Sequence, residues 1–359
     1  MKSLRPTVLD VAERAGVSVG TVSNVLNGTI RVSERRRQRV LLAVEELSYT
    51  QNLLAQGLRR RRAPVVGLCV PNTSVAYFAK LVDAFEDVAS SRGSAIMQML
   101  SHDDPETELE RVSTLLNYRV GGIVLVPSVR PARVLDAIAQ SGTPLVVVDR
   151  PVAGERFDQV TFDNRSAMTQ AARSLIALGH RHLLLVARLR GLVTTRQRMA
   201  ALRAAARSAE ADVSVTFLEC NSYEQEEIVR RLVDALRGPG LPTAVIVSNS
   251  MFAACMLRAF ETLGIRCPDE VSLLAFDEPE WAGLVTPKLS VVRQPTLEVA
   301  HKAWEFLIRR MEDEAAPVQT VQLQAEVLIG ASVGPPRQGE AVRLASGGRA
   351  WLGEVVTPA

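Results

Sequence analysis

Cysteine is scarce in these 359 residues: Cys69, Cys220, Cys255 and Cys267 are scattered, with no C-x-x-C pair and no histidine nearby at metal-ligand spacing. They read as small buried hydrophobes rather than as a metal site. His180 and His182 lie two apart, which does not bring both to one helical face, and the Leu183–Val186 run after them looks like a strand entry. Apolar runs are short, as in the five-residue Leu183–Ala187, where a bilayer span needs about 20. No membrane segment is expected. The first fifteen residues carry Lys2, Arg5, Asp10, Glu13 and Arg14 without an apolar stretch, so no signal peptide is expected and the chain is expected to be cytoplasmic. Lysine is rare as well, four (2, 80, 288 and 302) against 38 arginines, a bias that says nothing about function alone.

Motifs of chemistry are missing too. No G-x-G-x-x-G, no G-x-x-x-x-G-K-[ST] and no H-E-x-x-H occurs, so nucleotide cofactors and zincin chemistry lack support. Gly16-Val17-Ser18-Val19-Gly20 spells G-x-S-x-G, but a nucleophile elbow needs a buried strand before it and a partner histidine, and here a capped helix precedes. With no nucleophile–base pair in view, no catalytic residue, metal ligand or cofactor is expected.

What the chain does have is ample apolar content, 47%, and length for about two or three domains. Its net charge of +3 hides an asymmetry: residues 1–62 hold 12 Lys/Arg against 5 Asp/Glu, the remainder 30 against 34. A basic head on a mildly acidic body suits a polyanion, because phosphate neutralisation needs clustered cations.

Within the head, Thr7-Val8-Leu9-Asp10 fits a capping box, and Val8, Val11, Ala12 and Ala15 recur at helical spacing, predicting a helix over about 7–15. Gly16 supplies a turn, Ser18 caps a second helix, and Val22, Val25 and Leu26 pack inward before Asn27-Gly28 ends it. Two short helices about a glycine turn make a helix-turn-helix. Val19, Gly20, Ser23, Asn24 and Asn27 fall opposite the apolar triplet, small and polar enough to approach base edges and phosphates in a major groove. Ser33 is read as the cap of a third helix whose Val40, Leu41, Val44 and Leu47 complete the core, leaving Arg35, Arg36, Arg37 and Arg39 near the surface.

The strings TVLDVAERAGVSVGTVSNVLNG, VSERRRQRVLLAVEELSY and NLLAQGLRR closely resemble the N-terminal signature of the LacI/GalR family, the lac-repressor-like bacterial regulators. The resemblance implies that Val19, Gly20 and Asn24 read bases, and that Thr21, Ser23 and Asn27 contact the DNA backbone. It adds Thr7 and Ser18 to the DNA-binding set, with Asn52, Ala55 and Arg59 on a hinge helix whose Leu58 would wedge into the central minor groove. Two positions depart from the pattern: Asn24 stands where arginine is usual, favouring an adenine-type contact over a bidentate guanine contact, and Gln51 replaces proline before the hinge.

From Pro64 onward short apolar runs alternate with amphipathic stretches: Val65–Val70 then Phe78–Ser91, Ala95–Leu100 then Asp104–Asn117, Gly122–Val126 then Pro131–Gln140, and Leu145–Asp149. A second such series runs from Asn164 to Phe276. Both predict parallel sheets wrapped by helices, hence two doubly wound lobes with a ligand cleft beyond the carboxyl ends of their strands.

The resemblance continues to about residue 333 through FAKLVDAFEDVASSRG, VVVDRP, FDN, LGHRH, TTRQRMAALRAA, PTAVIVSN and VSLLAFDEPEWAGLVTPKLSVVRQP. It implies a small all-α helix-turn-helix head (1–51), a hinge helix and linker (52–63), a two-lobed α/β core like the periplasmic binding proteins (64–334), and a flexible tail (335–359). Lobe 1 is expected over about 64–161 and 293–320, lobe 2 over about 162–292 and 321–334. The family's ligand positions fall here on Tyr77, Asp149, Thr194, Arg198, Asn249, Asp277 and Gln294, with Trp281 close after Phe276-Asp277. Such residues suit hydroxyl-rich ligands, although Trp281 suits core packing equally. Departures recur: Asn72 where aspartate is common, Val75-Ala76 for Asn-Pro, Ser222 where an aromatic is frequent, and Ser250 for the aspartate after Asn249. They argue against an ordinary neutral hexose. Arg188 and Arg190, after a strand end, fit either an acidic sugar or other anion, or a solvated surface.

The tail's Pro335-Pro336, Gly347-Gly348 and Gly353 break any heptad between Leu344 and Trp351, so a dimer is expected rather than a helix-tied tetramer. The expected protein is a transcriptional regulator, most simply a repressor, a homodimer on a palindromic double-stranded DNA operator controlled by a small-molecule effector in the cleft. Two other classes stay open: a cytosolic small-molecule sensor whose head does not read DNA sequence, and an α/β enzyme acting on a sugar.

Overall fold

A computed structural model describes residues 6–27, 32–49, 65–188, 191–220, 222–237 and 242–337. The hinge positions Gln51, Asn52, Ala55, Leu58 and Arg59, together with Arg190 and the tail from 338, lie outside the described residues, and of Asn27 only the backbone is described. The chain divides into two compact units, Met1–Pro64 and Val65–Ala359.

The head is three helices. In α1 (Val8–Ala15) Thr7 and Asp10 satisfy each other's backbone: Thr7 N donates to Asp10 Oδ2 at 2.7 Å and Asp10 N to Thr7 Oγ1 at 3.4 Å. Gly16 ends the helix at φ 60, a left-handed turn that favours glycine. Ser18 Oγ then accepts from Thr21 N at 3.2 Å at the start of α2 (Val19–Asn27). In α3 (Glu34–Glu46) the buried face runs Val40, Ala43, Val44, Leu47, so Leu41, expected in the core, is 46% exposed. The helical spacing from Val40 selects Ala43 and leaves Leu41 about 100° round the axis. Ser33 stands at the N-cap as read, but its side chain makes no capping hydrogen bond. Arg39 folds back from α3, and its Nη2 donates to Ala15 O and, at 3.0 Å, to Gly16 O, occupying carbonyls that the end of α1 leaves open. A Cβ at Gly16 would strike that guanidinium.

The second unit holds two six-stranded sheets. The first lobe runs β1 (Val65–Val70), α4 (Ala76–Ser91), β2 (Ala95–Leu100), α5 (Pro105–Asn117), β3 (Ile123–Leu125), α6 (Ala132–Ser141), β4 (Leu145–Asp149) and β5 (Asp158–Phe162). The second runs α7 (Asn164–Ala177), β6 (His182–Ala187), α8 (Val193–Arg207), β7 (Ser214–Glu219), α9 (Gln225–Arg237), β8 (Ala244–Val247), α10 (Ser250–Leu263), β9 (Ser272–Phe276) and β10 (Ser290–Arg293). The chain then returns through α11 (Thr296–Glu312), β11 (Thr320–Leu323) and β12 (Glu326–Leu328). Strand orders are β11-β5-β4-β3-β1-β2 and β12-β10-β9-β8-β6-β7, parallel throughout except for β10 with β12. Central strands such as Val65–Val70 are buried along their whole length, as helices on both faces require.

Three crossings therefore join the lobes. The third falls between Leu323 and Glu326, not at 320/321: Thr320–Leu323 pairs with Gln159–Phe162, and Asp163 N closes the end of that pairing by donating to Leu323 O at 2.8 Å. His180 and His182 are held apart: His180 is buried between Thr243 Oγ1 (2.8 Å) and Gly334 O (2.9 Å), and His182 Nδ1 lies 2.7 Å from Ser214 Oγ. The four cysteines are free, three of them buried.

One buried carboxylate fastens the return. Asp158, fully buried at the start of β5, accepts from Arg309 Nη2 (2.9 Å), Arg310 Nε (3.0 Å) and Gln319 N (2.7 Å), tying α11 and the approach to β11 onto the sheet. Removing it leaves two partly buried cations with backbone carbonyls as their remaining partners and a backbone N–H with none. Asp158→Ala is expected to cost about 3–5 kcal/mol of core stability, read as a lowered urea midpoint at unchanged slope; a midpoint within error of the parent counts against this role.

Candidate functional site

The carboxyl ends of the strands of both lobes frame one cleft with about 570 Å³ of free space, counting its open mouth. Two carboxylates face it from equivalent places. Asp149 ends β4 at φ 65 and Asp277 follows β9 at φ 71, each third from the same edge of its sheet. Left-handed backbone costs a non-glycine residue something, aspartate least among the charged ones, and its recurrence at two equivalent strand ends marks positions held for a purpose.

Between them lies Arg198 of α8, almost wholly buried. Its Nε donates to Asn164 Oδ1 at 2.7 Å and its Nη1 to Ser248 O at 2.8 Å, while its plane sits 3.8 Å from the Phe276 ring centroid. Burial brings its pKa down to about 10, against the pull of Asp277 and Asp149. Burial likewise pushes Asp277 up to about 6, although Arg198 opposes it. Asp277 Oδ2 accepts from Ser250 N at 3.2 Å, and Oδ1 accepts from Gln294 Nε2. Asp149 is raised by burial against Arg150 and Arg198, and the Tyr77 hydroxyl lies beside it without a hydrogen bond of good geometry.

Arg150, also buried, donates through Nη1 to Asp103 and to Pro127 O (2.8 Å), with Nε 3.5 Å from Asp149 Oδ2. Asn249 caps α10 by accepting from Phe252 N (3.0 Å), and its Nδ2 donates to Tyr223 Oη at 2.9 Å. Asn72 Oδ1 accepts from Ser74 N and Val75 N, at 3.1 and 3.0 Å, ordering the entry to α4. Among the described residues, two hydrogen bonds span the lobes: Ala76 N donates to Ser250 Oγ at 3.0 Å, and Lys80 Nζ to Glu278 O at 2.7 Å.

Of the ligand positions implied by resemblance, Tyr77, Asp149, Thr194, Arg198, Asn249, Asp277 and Gln294 all line the cleft. Trp281 does not. It sits half-buried in the 3-10 turn Glu280–Gly283, packed against the second lobe's outer core, because that turn leads the chain away from the strand end. The sequence reading passed over Asp103, Arg150, Asn164, Tyr223 and Thr195. Tyr223 carried a signal: the aromatic missing at Ser222 is supplied one residue later. Asn164 lay inside the FDN string.

In the head, Gly20 is exposed and a Cβ there would meet only Ser18 Oγ, at 3.9 Å, Thr21 Oγ1 is 3.0 Å from Ser18 Oγ, and Val19 is half-buried against the helical core.

Residues 7–52 match the family model of bacterial regulatory proteins of the lacI family, and residues 172–333 that of a periplasmic binding protein-like domain. The HTH-type transcriptional regulator PtxS of Pseudomonas aeruginosa is 30% identical over 333 residues, 92% of this chain and 96% of that protein. The chain belongs to the LacI family. Within that family the HTH-type transcriptional regulator KdgR of Bacillus subtilis is 27% identical over 91% of this chain and 97% of its own, and the repressor PurR of Escherichia coli 29% over 91% and 96%. The lac repressor dimer bound to operator and the anti-inducer ONPF shares the fold at TM-score 0.79 and 22% identity, covering 92% of this chain and 99% of that one. The transcriptional regulator CelR in complex with cellobiose superposes at TM-score 0.65 with 26% identity, over 91% of this chain and 100% of that one. The two-layered expectation thus holds for this LacI-family chain: a helix-turn-helix head and a two-lobed core of parallel doubly wound sheets. Its relatives are transcriptional regulators, not enzymes. No described helix is long and apolar enough to cross a membrane.

Asp277 yields a pH test. Its proton is held more tightly in the folded chain, about 6 against an ordinary 3.8, so the folded state loses stability as pH rises through that interval. Asp277→Asn removes the buried charge, and the unpaired Oε1 of Gln294 can turn to accept from the new amide. The variant is expected to be more stable than the parent above pH 6 by about 1–3 kcal/mol, the gap closing near pH 4. Equal urea midpoints at pH 8 would contradict the assignment.

Proposed function

We propose that this LacI-family regulator is a cytoplasmic repressor that binds a near-palindromic double-stranded DNA operator as a homodimer and is controlled by a small molecule, a sugar or related metabolite, in the interlobe cleft. Val19, Gly20 and Asn24 would read bases, Thr7, Ser18, Thr21, Ser23 and Asn27 would hold phosphates, and the hinge segment 52–63 would place Leu58 of each subunit in the central minor groove. Support for the DNA half comes from the helix-turn-helix geometry, the basic balance of residues 1–62, and relatives such as the lac repressor bound to operator as a dimer.

The observation that carries the effector half is how the cleft is wired to the crossings. Asn164 stands just after the first crossing and bonds Arg198; Gln294 stands on the second and bonds Asp277. A ligand that competes for Arg198 or Asp277 therefore acts on the segments about which the lobes turn. A shift in lobe orientation that changes hinge folding needs a coupling of only about 1–3 kcal/mol, a factor of about 5–150 in DNA affinity. The CelR–cellobiose complex supports a sugar-sized occupant.

Selection from a random DNA pool with the purified chain is expected to yield a palindrome bound far more tightly than scrambled sequence, with a steep salt dependence. Leu58→Ala should then weaken binding to the selected site by about 1–3 kcal/mol and barely alter binding to scrambled DNA. Equal loss on both, or no enriched sequence, would defeat the operator reading.

A further inference from the structure

The cleft's charges are unevenly used. Its three carboxylates are all engaged: Asp103 by Arg150, Asp149 by Arg150 at 3.5 Å, and Asp277 by Ser250 N and Gln294. Two of its three arginines are engaged as well, Arg150 as above and Arg198 by Asn164 and Ser248 O. Arg188, at the end of β6, is the exception among the described cleft residues. It has no ion pair among the described residues, its Nε is buried without a hydrogen-bond partner, and the rest of its guanidinium meets the neutral Tyr223, 5.6 Å from the ring centroid and within hydrogen-bonding reach of its hydroxyl. A half-buried guanidinium that faces a cleft with a neutral phenol and no carboxylate beside it suits an anionic ligand group.

A second, independent feature points the same way. Three helix starts border the cleft. That of α4 is served across the lobes, Ala76 N donating to Ser250 Oγ; that of α10 is served by Asn249 and Asp277. The start of α8 has leucine at its N-cap, no side-chain capping bond and no acidic residue in its first turn, yet Leu192, Thr194 and Thr195 line the cleft. Unserved N–H groups and the positive end of the helix dipole favour an anion. Thr195 Oγ1 donates to Arg188 O at 3.3 Å, which fixes the strand end carrying the guanidinium to the helix that offers the N–H groups.

We infer that the effector is a hydroxylated small molecule bearing an anionic oxygen group, a carboxylate or a phosphate, received jointly by Arg188 and the first turn of α8. The inference rests on the effector reading of the cleft and specifies its chemistry. The hydroxylated part falls to Gln294 Oε1, which has no partner, and to the aspartates, all acceptors for hydroxyl groups. Raising of the Asp149 and Asp277 carboxyls by burial lowers the negative charge that an incoming anion meets.

The test is a thermal-shift screen of the full-length chain against neutral aldoses, aldonates and sugar phosphates, with hits titrated calorimetrically in matched pairs: gluconate against glucose, galactonate against galactose, glucose 6-phosphate against glucose. At least one anion is expected to bind about tenfold or more tightly than its neutral partner, the carboxylate and phosphate arms deciding between the two groups. Arg188→Gln should abolish that preference without lowering the unfolding temperature of the free protein, and Arg188→Lys should restore part of it. Hits confined to neutral sugars overturn the inference and leave the effector reading standing; no hit in any class overturns both. An anion preference untouched by Arg188→Gln overturns the assignment to this residue.

Discussion

A guanidinium taken out of water must be given acceptors, and the demand made by Arg198 organises the cleft. Its Nε and Nη1 are satisfied within the second lobe by Asn164 and Ser248 O, and one face is covered by Phe276. What it does not receive is a direct ion pair with either nearby aspartate, so Asp149 and Asp277 balance its charge at a distance. That arrangement leaves carboxylates whose protonation is displaced and whose hydrogen-bonding capacity is partly open, the usual signature of a site that exchanges internal partners for a ligand. The two lobes contribute to this on equal terms, one left-handed aspartate each at matching strand ends.

Departures from the family pattern make sense in pairs once the fold is known. Where proline is usual at 76, alanine has an N–H to donate; where aspartate is usual at 250, serine has a neutral oxygen to accept, and the two meet across the cleft at 3.0 Å. Proline at 76 would have no N–H for Ser250 Oγ to accept from. The same holds for Ser222 and Tyr223: the serine turns to Glu227 at 2.7 Å, and the neighbouring tyrosine takes the place beside Asn249.

How much of this was legible follows from the range of the interactions. The alternation of apolar runs located both lobes, whereas Asn249 and Asp277 came from the family resemblance, with which their places just past buried strands agree, since polar groups there need partners. The Arg150–Asp103 pair joins residues 47 apart and the Ser250–Ala76 bond residues 174 apart; no local pattern announces them, and they exist only because sheet order brings those loops together. In the head, helical spacing found the right face of α1 but admitted Leu41 to the core, since hydrophobicity alone does not separate neighbours 100° apart. Arg39, read as a surface cation, proved to close the end of α1, a role set by tertiary approach and not by its arginine-rich surroundings.

Gln294 has a mechanical consequence. It occupies the short link between β10 and α11, one of the segments that join the lobes, and it grips Asp277 directly. Asn164 does the same for Arg198 at the neighbouring link. Under the proposed control, force from a molecule bound in the cleft would enter close to the axle of the two-lobed body instead of at its rim. A rotation begun near an axle displaces the far ends of both lobes in proportion to their length, so a rearrangement of one hydrogen bond in the cleft would be amplified by leverage alone, with no need to deform the sheets.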